Sequence, residues 1–439
     1  MSQTAIRRGR PRQGAALAFT ILALVIAVGA YVLAGLSKRG HVPVTIALYG
    51  SVFVGGYLAT AFVIRRYAPN ADPALFPTAG VLTGLGFAMI FRLSGGLAAE
   101  QATWIALGLA GFCATLIFVR DHRQLDAYTY TIGLVGIVLL LLPVVPGIGR
   151  TINGARLWVK LGPVGFQPSE IGKVLIVVFL ASYLNQKREL LRVATGGVGP
   201  LRLPPAKHLL PVLLAWGASL AVLFLQRDLG ASLLYFAIFV LMLWVATGRV
   251  AYLLIGLVLF GLGAGMGYAS FSHVQLRVDV WLHALDPAKV FDTGYGQVAQ
   301  AQFGMATGGL VGTGLGQGSP GLIPFASTDF IFAAFGEELG MLGTTGLLLL
   351  YVVLVGKGLR AALACPDGFG KLLATGLAAT IALQTFVIVG GVTRVIPLTG
   401  VTLPFVSYGG SSLVSNFVLL ALLVRVSSGP APVRPRKGG

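Results

Sequence analysis

Charge is scarce in this chain: Asp, Glu, Lys and Arg make up 10% of 439 residues, only 14 residues are acidic, and there are five histidines and two cysteines. An average soluble domain carries about 25% charged residues, so a large water-facing surface is excluded. Two cysteines cannot staple a fold. Cys113 lies inside an apolar run and Cys365 in a loop expected on the cytoplasmic side, so no disulfide is expected. The scattered His and Cys show no zinc-type ligand spacing.

Hydrocarbon takes the place of charge. Hydrophobic residues make up 56% of the chain and the mean hydropathy is +0.85. Apolar runs of about 17 to 25 residues recur, the length a helix needs to cross a bilayer. Gly, Pro and charge punctuate them into about twelve spans, near 15–36, 43–64, 75–91, 102–119, 128–146, 170–185, 209–225, 229–246, 251–271, 330–355, 371–393 and 408–424. The sequence predicts an all-α polytopic membrane protein.

The net charge of +18 would suggest a nucleic-acid partner in a soluble protein. Here the basic residues sit in short loops, and roughly 21 of the 32 fall on the side of the amino terminus, which makes nucleic acid a poor reading. Arg7, Arg8, Arg10 and Arg12 precede a first run too long for a signal peptide, read as a retained anchor. An even span count returns Arg434, Arg436 and Lys437 to the same, cytoplasmic, side. The polar loops 147–169, 226–228, 272–329 and 394–407 then share the outer face. The loop 272–329 is too long to be spacer in so economical a chain.

Asp72, Asp121, Asp126, Glu189 and Asp367 fall in cytoplasmic loops, solvated or paired locally. On the outer side, Glu100 is read as solvated, while Glu170 and Lys173 can pair across one helical turn or shape a site. Asp329 opens a span. It either caps that helix, for about 1 kcal/mol, or serves as general base or metal ligand at headgroup depth. Arg150, Arg156 and Lys160 run against the positive-inside trend. They pair with outer acids or anionic lipid, or they hold an anionic substrate such as a diphosphate. The Gly-rich run 304–318 lacks the Gly-Lys-Ser/Thr of a phosphate loop, so no nucleotide is expected. A hard divalent ion held by oxygen remains open.

The motifs carry a resemblance. Asn153-Gly154-Ala155-Arg156-Leu157-Trp158 is followed by Phe166-Gln167-Pro168-Ser169-Glu170-Ile171-Gly172-Lys173 and by Gln226-Arg227-Asp228-Leu229-Gly230. Then come Gly294-Tyr295-Gly296-Gln297 through Gln300, Gly314-Leu315-Gly316, Thr328-Asp329-Phe330-Ile331-Phe332, Glu337-Glu338-Leu339-Gly340 and Pro404-Phe405-Val406-Ser407-Tyr408-Gly409-Gly410-Ser411-Ser412. In this order they resemble the shape, elongation, division and sporulation (SEDS) family over roughly residues 75 to 427, with Arg227 where the family has Pro.

The resemblance implies a ten-span core at 75–427, two added spans within 15–74, a basic amino terminus at 1–14 and a short basic tail at 428–439. It implies a peptidoglycan glycosyltransferase that polymerises lipid II at the outer face of the cytoplasmic membrane, with a class B penicillin-binding protein, a transpeptidase, as partner. The short tail and extra spans lean to the elongation branch and its machinery. Asp329 matches the family's essential acid, as general base or ligand of a divalent ion such as magnesium or manganese. Arg156, with Arg150 and Lys160, is expected to hold diphosphate. Glu170, Lys173, Asp228, Tyr295, Gln297 and Ser407 are expected to shape the cavity. A lipid II flippase, a division polymerase and a non-catalytic scaffold are the alternatives. Most of the otherwise unexplained acids sit on the outer side, which favours polymerisation there.

Overall fold

The computed structural model describes residues 13–429 except 43, 153–154, 162–163, 193–212, 214–215, 219, 223 and 293. The amino-terminal arginines, the basic tail and most of the loop 187–207 therefore lie outside the described residues. Thirteen helices carry the fold among those that are described. They are α1 (Gln13–Arg39), α2 (Ile46–Tyr67), α3 (Leu75–Leu93), α4 (Gly95–Phe118), α5 (Thr129–Leu141), α6 (Pro168–Arg192), α7 (Leu229–Thr247), α8 (Val250–Ser270), α9 (Ser272–His283), α10 (Tyr295–Gly308), α11 (Ile331–Ala364), α12 (Gly368–Val392) and α13 (Gly410–Ser428).

Eleven helical stretches among the described residues are long and apolar enough to cross a membrane, α5 counting together with its flanking 3-10 turns. Only a helix that satisfies its own backbone is tolerated there. Nearly half of the span expected at 209–225 lies outside the described residues, and its described part, ending at Gln226, is helical.

Two of the polar loops have structure of their own. The loop 147–169 holds an antiparallel sheet of β1 (Gly149–Ile152), β2 (Ala155–Leu161) and β3 (Val164–Phe166), in the order β1-β2-β3. The long loop 272–329 holds α9 and α10, which lie at the same end of the bundle as the sheet. Glu100, expected in a short loop, lies instead inside α4, which begins at Gly95 behind its cap Ser94; it is exposed, as expected, and accepts the Tyr408 hydroxyl.

Aromatic packing fixes α1 and α2 to α3. Tyr31, Tyr49, Phe53, Phe87 and Phe91 meet with ring centroids 4.7 to 5.9 Å apart, mostly edge to face, the geometry ring quadrupoles prefer. The Tyr57 hydroxyl donates to the Gly80 carbonyl at 2.7 Å. At the end opposite the sheet, Arg425 of α13 is buried and donates to the Tyr67 and Leu116 carbonyls, each at 2.6 Å. A guanidinium there satisfies carbonyls that the ends of α2 and α4 leave open.

α11 runs for 34 residues but breaks at Gly340, whose φ of 65° is outside the helical region. The Gly-rich run wraps this break. Thr313 N donates to the Glu337 carbonyl at 3.0 Å, Gly316 N to Glu338 Oε2 at 2.8 Å and Ser319 N to Glu337 Oε1 at 2.5 Å. Arg92 pairs with Glu338 at 3.3 Å and donates to the Gly316 and Gly318 carbonyls. The glycines are there for close backbone approach: a Cβ on Gly312 would stand 2.3 Å from the Glu338 carbonyl oxygen.

Candidate active site

α6 begins at Pro168, so Glu170 and Lys173 sit one turn apart at its start. Lys173 Nζ lies 2.6 Å from Glu170 Oε2 and 2.9 Å from Gln384 Oε1 of α12. Ser415 of α13 donates to the same Glu170 oxygen at 3.2 Å. Gln384 Nε2 in turn donates to the Thr402 carbonyl at 2.8 Å. Three helices and one loop thus meet on one buried ion pair, whose charges are costly unless paired and hydrogen-bonded.

Asp228 caps α7, accepting from Ala231 N at 2.9 Å, and is almost fully buried. With Gln167, Ser169, Glu170, Lys173, Gln384, Gly400 and Thr402 it lines a cavity of about 40 Å³. Burial raises its carboxyl to about 6, against the Ala231 hydrogen bond, with Glu170 adding repulsion.

Asp329 precedes α11 without capping it. The helix starts at Ile331, its cap residue is Phe330, and no side-chain cap bond forms. The carboxylate faces the loop 393–409 instead. A Cβ on Gly400, whose φ is 78°, would stand 3.7 Å from Asp329 Oδ2 and 3.5 Å from Arg277 Nη2. Burial raises Asp329 to about 6; Arg277 pulls it down and Asp228 pushes it up. Arg277, on α9, is held by Nη1 donating to the Leu398 carbonyl at 2.6 Å. Burial lowers its pKa against the pull of Asp329 and Asp228. One guanidinium therefore lies within electrostatic reach of two carboxylates.

α9 is locked in place reciprocally. Trp281 Nε1 donates to the Arg394 carbonyl at 2.9 Å, and Arg394 Nη2 donates back to the Trp281 carbonyl at 2.8 Å. Ser407 holds the other side. Its hydroxyl donates to the Thr328 carbonyl at 2.7 Å and accepts from Leu403 N at 2.9 Å, while Tyr408 N donates to the Ser327 carbonyl at 2.8 Å. Ser407 therefore positions the segment before Asp329 and is not a lining residue of the cavity beside Asp228.

The structure separates other expected residues from this cluster. Tyr295 donates to Asp279, which also accepts from Lys289 at 3.1 Å and faces His283 at 2.8 Å, in a group tying α9 to α10. Those bonds, from Tyr295 first, hold Asp279 down at about 2. Gln297 is half-buried on α10, and no hydrogen bond joins it to Asp329 among the described residues. Arg150 and Lys160 are exposed on the sheet, and Arg156 Nη2 donates to the Val145 carbonyl at 3.3 Å. None of the three lines the cavity, although β3 leads directly into Gln167, which does. Arg277, Gln384 and Gly400 went unnoticed in the sequence. A lone Gln in an apolar span was the available signal for one of them.

The other end of the bundle brings together a set of possible metal ligands that sequence spacing does not reveal. His122, Cys365 and Asp367 come together there, with ligand atoms within 4.8 Å of one another. The ligands are far apart in sequence, and spacing rules see only local sets.

Fold and site define a class: a multi-pass membrane protein holding a carboxylate–guanidinium–carboxylate group at one end of its helical bundle. Residues 75–430 match the model of the FtsW, RodA and SpoVE cell cycle proteins. The chain is 43% identical over 440 residues to a Mycobacterium tuberculosis protein (strain ATCC 25618 / H37Rv) named peptidoglycan glycosyltransferase RodA, covering 97% of this chain and 93% of that one. It is 33% identical over 382 residues to a Geobacter sp. (strain M18) protein named probable peptidoglycan glycosyltransferase FtsW, covering 83% of this chain and 98% of that one. A solved structure titled "Structural coordination of polymerization and crosslinking by a peptidoglycan synthase complex" matches at a TM-score of 0.65 and 30% identity, covering 81% of this chain and 97% of that one. Thermus thermophilus RodA matches at 0.57 and 26%, covering 81% and 96%. The chain belongs to the FtsW, RodA and SpoVE family, the SEDS family its motifs resemble.

Proposed function

We propose that this chain is a peptidoglycan glycosyltransferase of the RodA kind, polymerising lipid II at the outer face of the cytoplasmic membrane during cell elongation. The observation that carries the chemistry is the Asp329 carboxylate, raised to about 6 and set beside Arg277. A general base works best with a pKa near the operating pH. Asp329 takes the proton of the attacking sugar hydroxyl as that oxygen bonds to the anomeric carbon. The bond from that carbon to diphosphate breaks on the opposite side, inverting the centre, and the electron pair leaves with the phosphate. Arg277 supplies fixed positive charge where negative charge develops. Glu170 and Lys173 hold the cavity wall rigid, and Arg150, Arg156 and Lys160 meet the incoming diphosphate at its rim.

Asp329 also suits a hard cation that arrives on substrate phosphates, since magnesium often takes only one or two carboxylates from the protein. No second and third acid join it as a metal-binding group among the described residues. The elongation branch is favoured over division by 43% identity to RodA, across nearly the whole chain including α1 and α2, against 33% to FtsW. Both chain ends then face the cytoplasm, and a class B penicillin-binding protein is the partner that cross-links the product.

The test is incubation of the purified chain, with its transpeptidase partner, with lipid II and magnesium, followed by gel analysis of the glycan. Polymer made by the wild type and lost in Asp329→Ala is the expected result. A folded, partnered wild type that makes none, yet moves lipid II across vesicles, would replace this reading with a flippase.

A further inference from the structure

At the end of the bundle opposite Asp329, the 3-10 turn His122–Tyr128 packs against the connection between α11 and α12. His122 is fully buried and Cys365 is 4% exposed. His122 Nε2 lies 2.9 Å from Asp367 Oδ2, Cys365 Sγ lies 3.2 Å from that oxygen, and Sγ and Nε2 are 3.9 Å apart. Bonds of about 2.0–2.3 Å in a tetrahedral zinc site place its ligand atoms roughly 3.3–3.8 Å from one another. This triangle already has nearly those sides.

We propose that His122, Cys365 and Asp367 bind one zinc ion, with the fourth position open to water. Imidazole, thiolate and carboxylate together suit zinc better than the hard cations, which avoid sulfur. Nothing in the glycosyl-transfer reading uses these residues, and the proposal does not depend on it.

Three further features are those of a metal site. His122 Nδ1 is buried and has no hydrogen-bond partner among the described residues, while Asp121 Oδ1 waits 3.5 Å away. When Nε2 ligates a metal, the ring proton moves to Nδ1, where a carboxylate is the usual partner of a zinc-bound histidine. The stacking of His122 on Phe369, at 6.3 Å between centroids, fixes the ring plane. Gly370 also keeps the centre clear: a Cβ there would stand 2.5 Å from Cys365 Sγ and 2.6 Å from His122 Nε2.

Zinc entry displaces the proton that Cys365 now donates to Asp367, so the thiol becomes a thiolate and one proton goes to solvent. The ion would join the 3-10 turn, between the spans of α4 and α5, to the α11–α12 connection. The clamp would sit at one end of the bundle, where His122 opens the stretch that contains α5 and Cys365 and Asp367 connect α11 to α12.

The experiment uses tag-free full-length protein in detergent, stripped with a chelator, then titrated with zinc or cobalt. Expected are one equivalent of zinc per chain by elemental analysis and, with cobalt, a thiolate-to-metal charge-transfer band. Cys365→Ser should lose the band. Asp121→Ala should bind about 10-fold or more weakly, as loss of an outer-shell partner does. Asp329→Ala should bind as the wild type does. A wild type that takes up no stoichiometric zinc, or gives no charge-transfer band with cobalt, overturns the proposal whatever the variants do. So does a Cys365→Ser protein that keeps the full equivalent at unchanged affinity.

Discussion

Asp329 and Arg277 meet at a single glycine: Oδ2 of one and Nη2 of the other lie 3.7 and 3.5 Å from where a Cβ on Gly400 would stand. The two residues come from segments more than fifty positions apart, and the loop that carries Gly400 is held to both of them, through Leu398 to Arg277 and through Ser407 to Thr328.

Gly400→Ala tests that arrangement. A Cβ at a φ of 78° costs about 1–2 kcal/mol in backbone strain; it would meet acid and guanidinium in ordinary contact, so relief of that strain is what would move the loop against them. Misplacement by about 1 Å costs roughly 100-fold in rate. Polymerisation should fall by about that factor while the protein still inserts and purifies as a monodisperse species. Unchanged turnover would show that the pair does not act in catalysis.

Arg277→Gln removes the charge and keeps a hydrogen-bonding side chain. Losing one preorganised donor at a developing anion typically costs about 100- to 1,000-fold in kcat, and the expected loss of polymerisation lies in that range. The exposed Arg150 and Lys160 should each cost less when changed to Gln, with the effect falling mainly on KM. Single-turnover and steady-state assays with lipid II separate the two patterns.

The pH profile follows from the raised carboxyls. Asp329 works ionised, so polymerisation should fall as pH drops through about 6, with an apparent midpoint that belongs to the Asp228–Asp329 pair. Arg277→Gln should move this limb to higher pH, and Asp228→Asn to lower pH. Stability runs the other way. A carboxyl raised from about 4 to about 6 on folding binds more protons in the folded state between those values, so it lowers stability as pH rises through that window. Asp329→Asn should flatten this fall in a thermal-unfolding series across pH 4 to 7.

Lys173→Met leaves Glu170 buried without its cation. Breaking one side of a buried pair costs about 3–5 kcal/mol, whereas replacing both sides is often neutral. The single variant should unfold at markedly lower temperature, and Glu170→Gln combined with Lys173→Met should recover most of the loss. A double variant as unstable as the single would assign Lys173 a wider role than pairing with Glu170.

Hydropathy was sufficient for the spans, because a bilayer imposes length and composition on every segment that crosses it. Ordered motifs pointed to Asp329, Glu170, Lys173 and Asp228, and the fold brings the last three to one cavity. Arg277 stayed hidden because its meaning depends on Leu398 and Gly400, more than a hundred residues away, and an arginine in a polar loop has no periodicity to betray it. Ser407 was placed in a cavity wall by its motif, but its hydroxyl acts on the backbone beside Asp329. The sheet left only a weak signal: in Arg156-Leu157-Trp158-Val159-Lys160-Leu161 the consecutive apolar residues 157–159 break a period-two alternation. Between spans set by hydropathy, so short a segment reads as loop.

The break at Gly340 gives α11 two limbs with different duties. The limb beyond the break, about 24 residues or 36 Å long, is enough by itself to traverse about 30 Å of hydrocarbon. The short limb that follows Asp329 is therefore not needed for crossing, and its end is fastened to the glycine-rich wrap by Glu337 and Glu338. Hydrophobic mismatch, which tilts and shifts membrane helices as lipid thickness changes, is taken up by the long limb. The break at Gly340 thus lets the long limb tilt without carrying the short limb next to Asp329 rigidly with it.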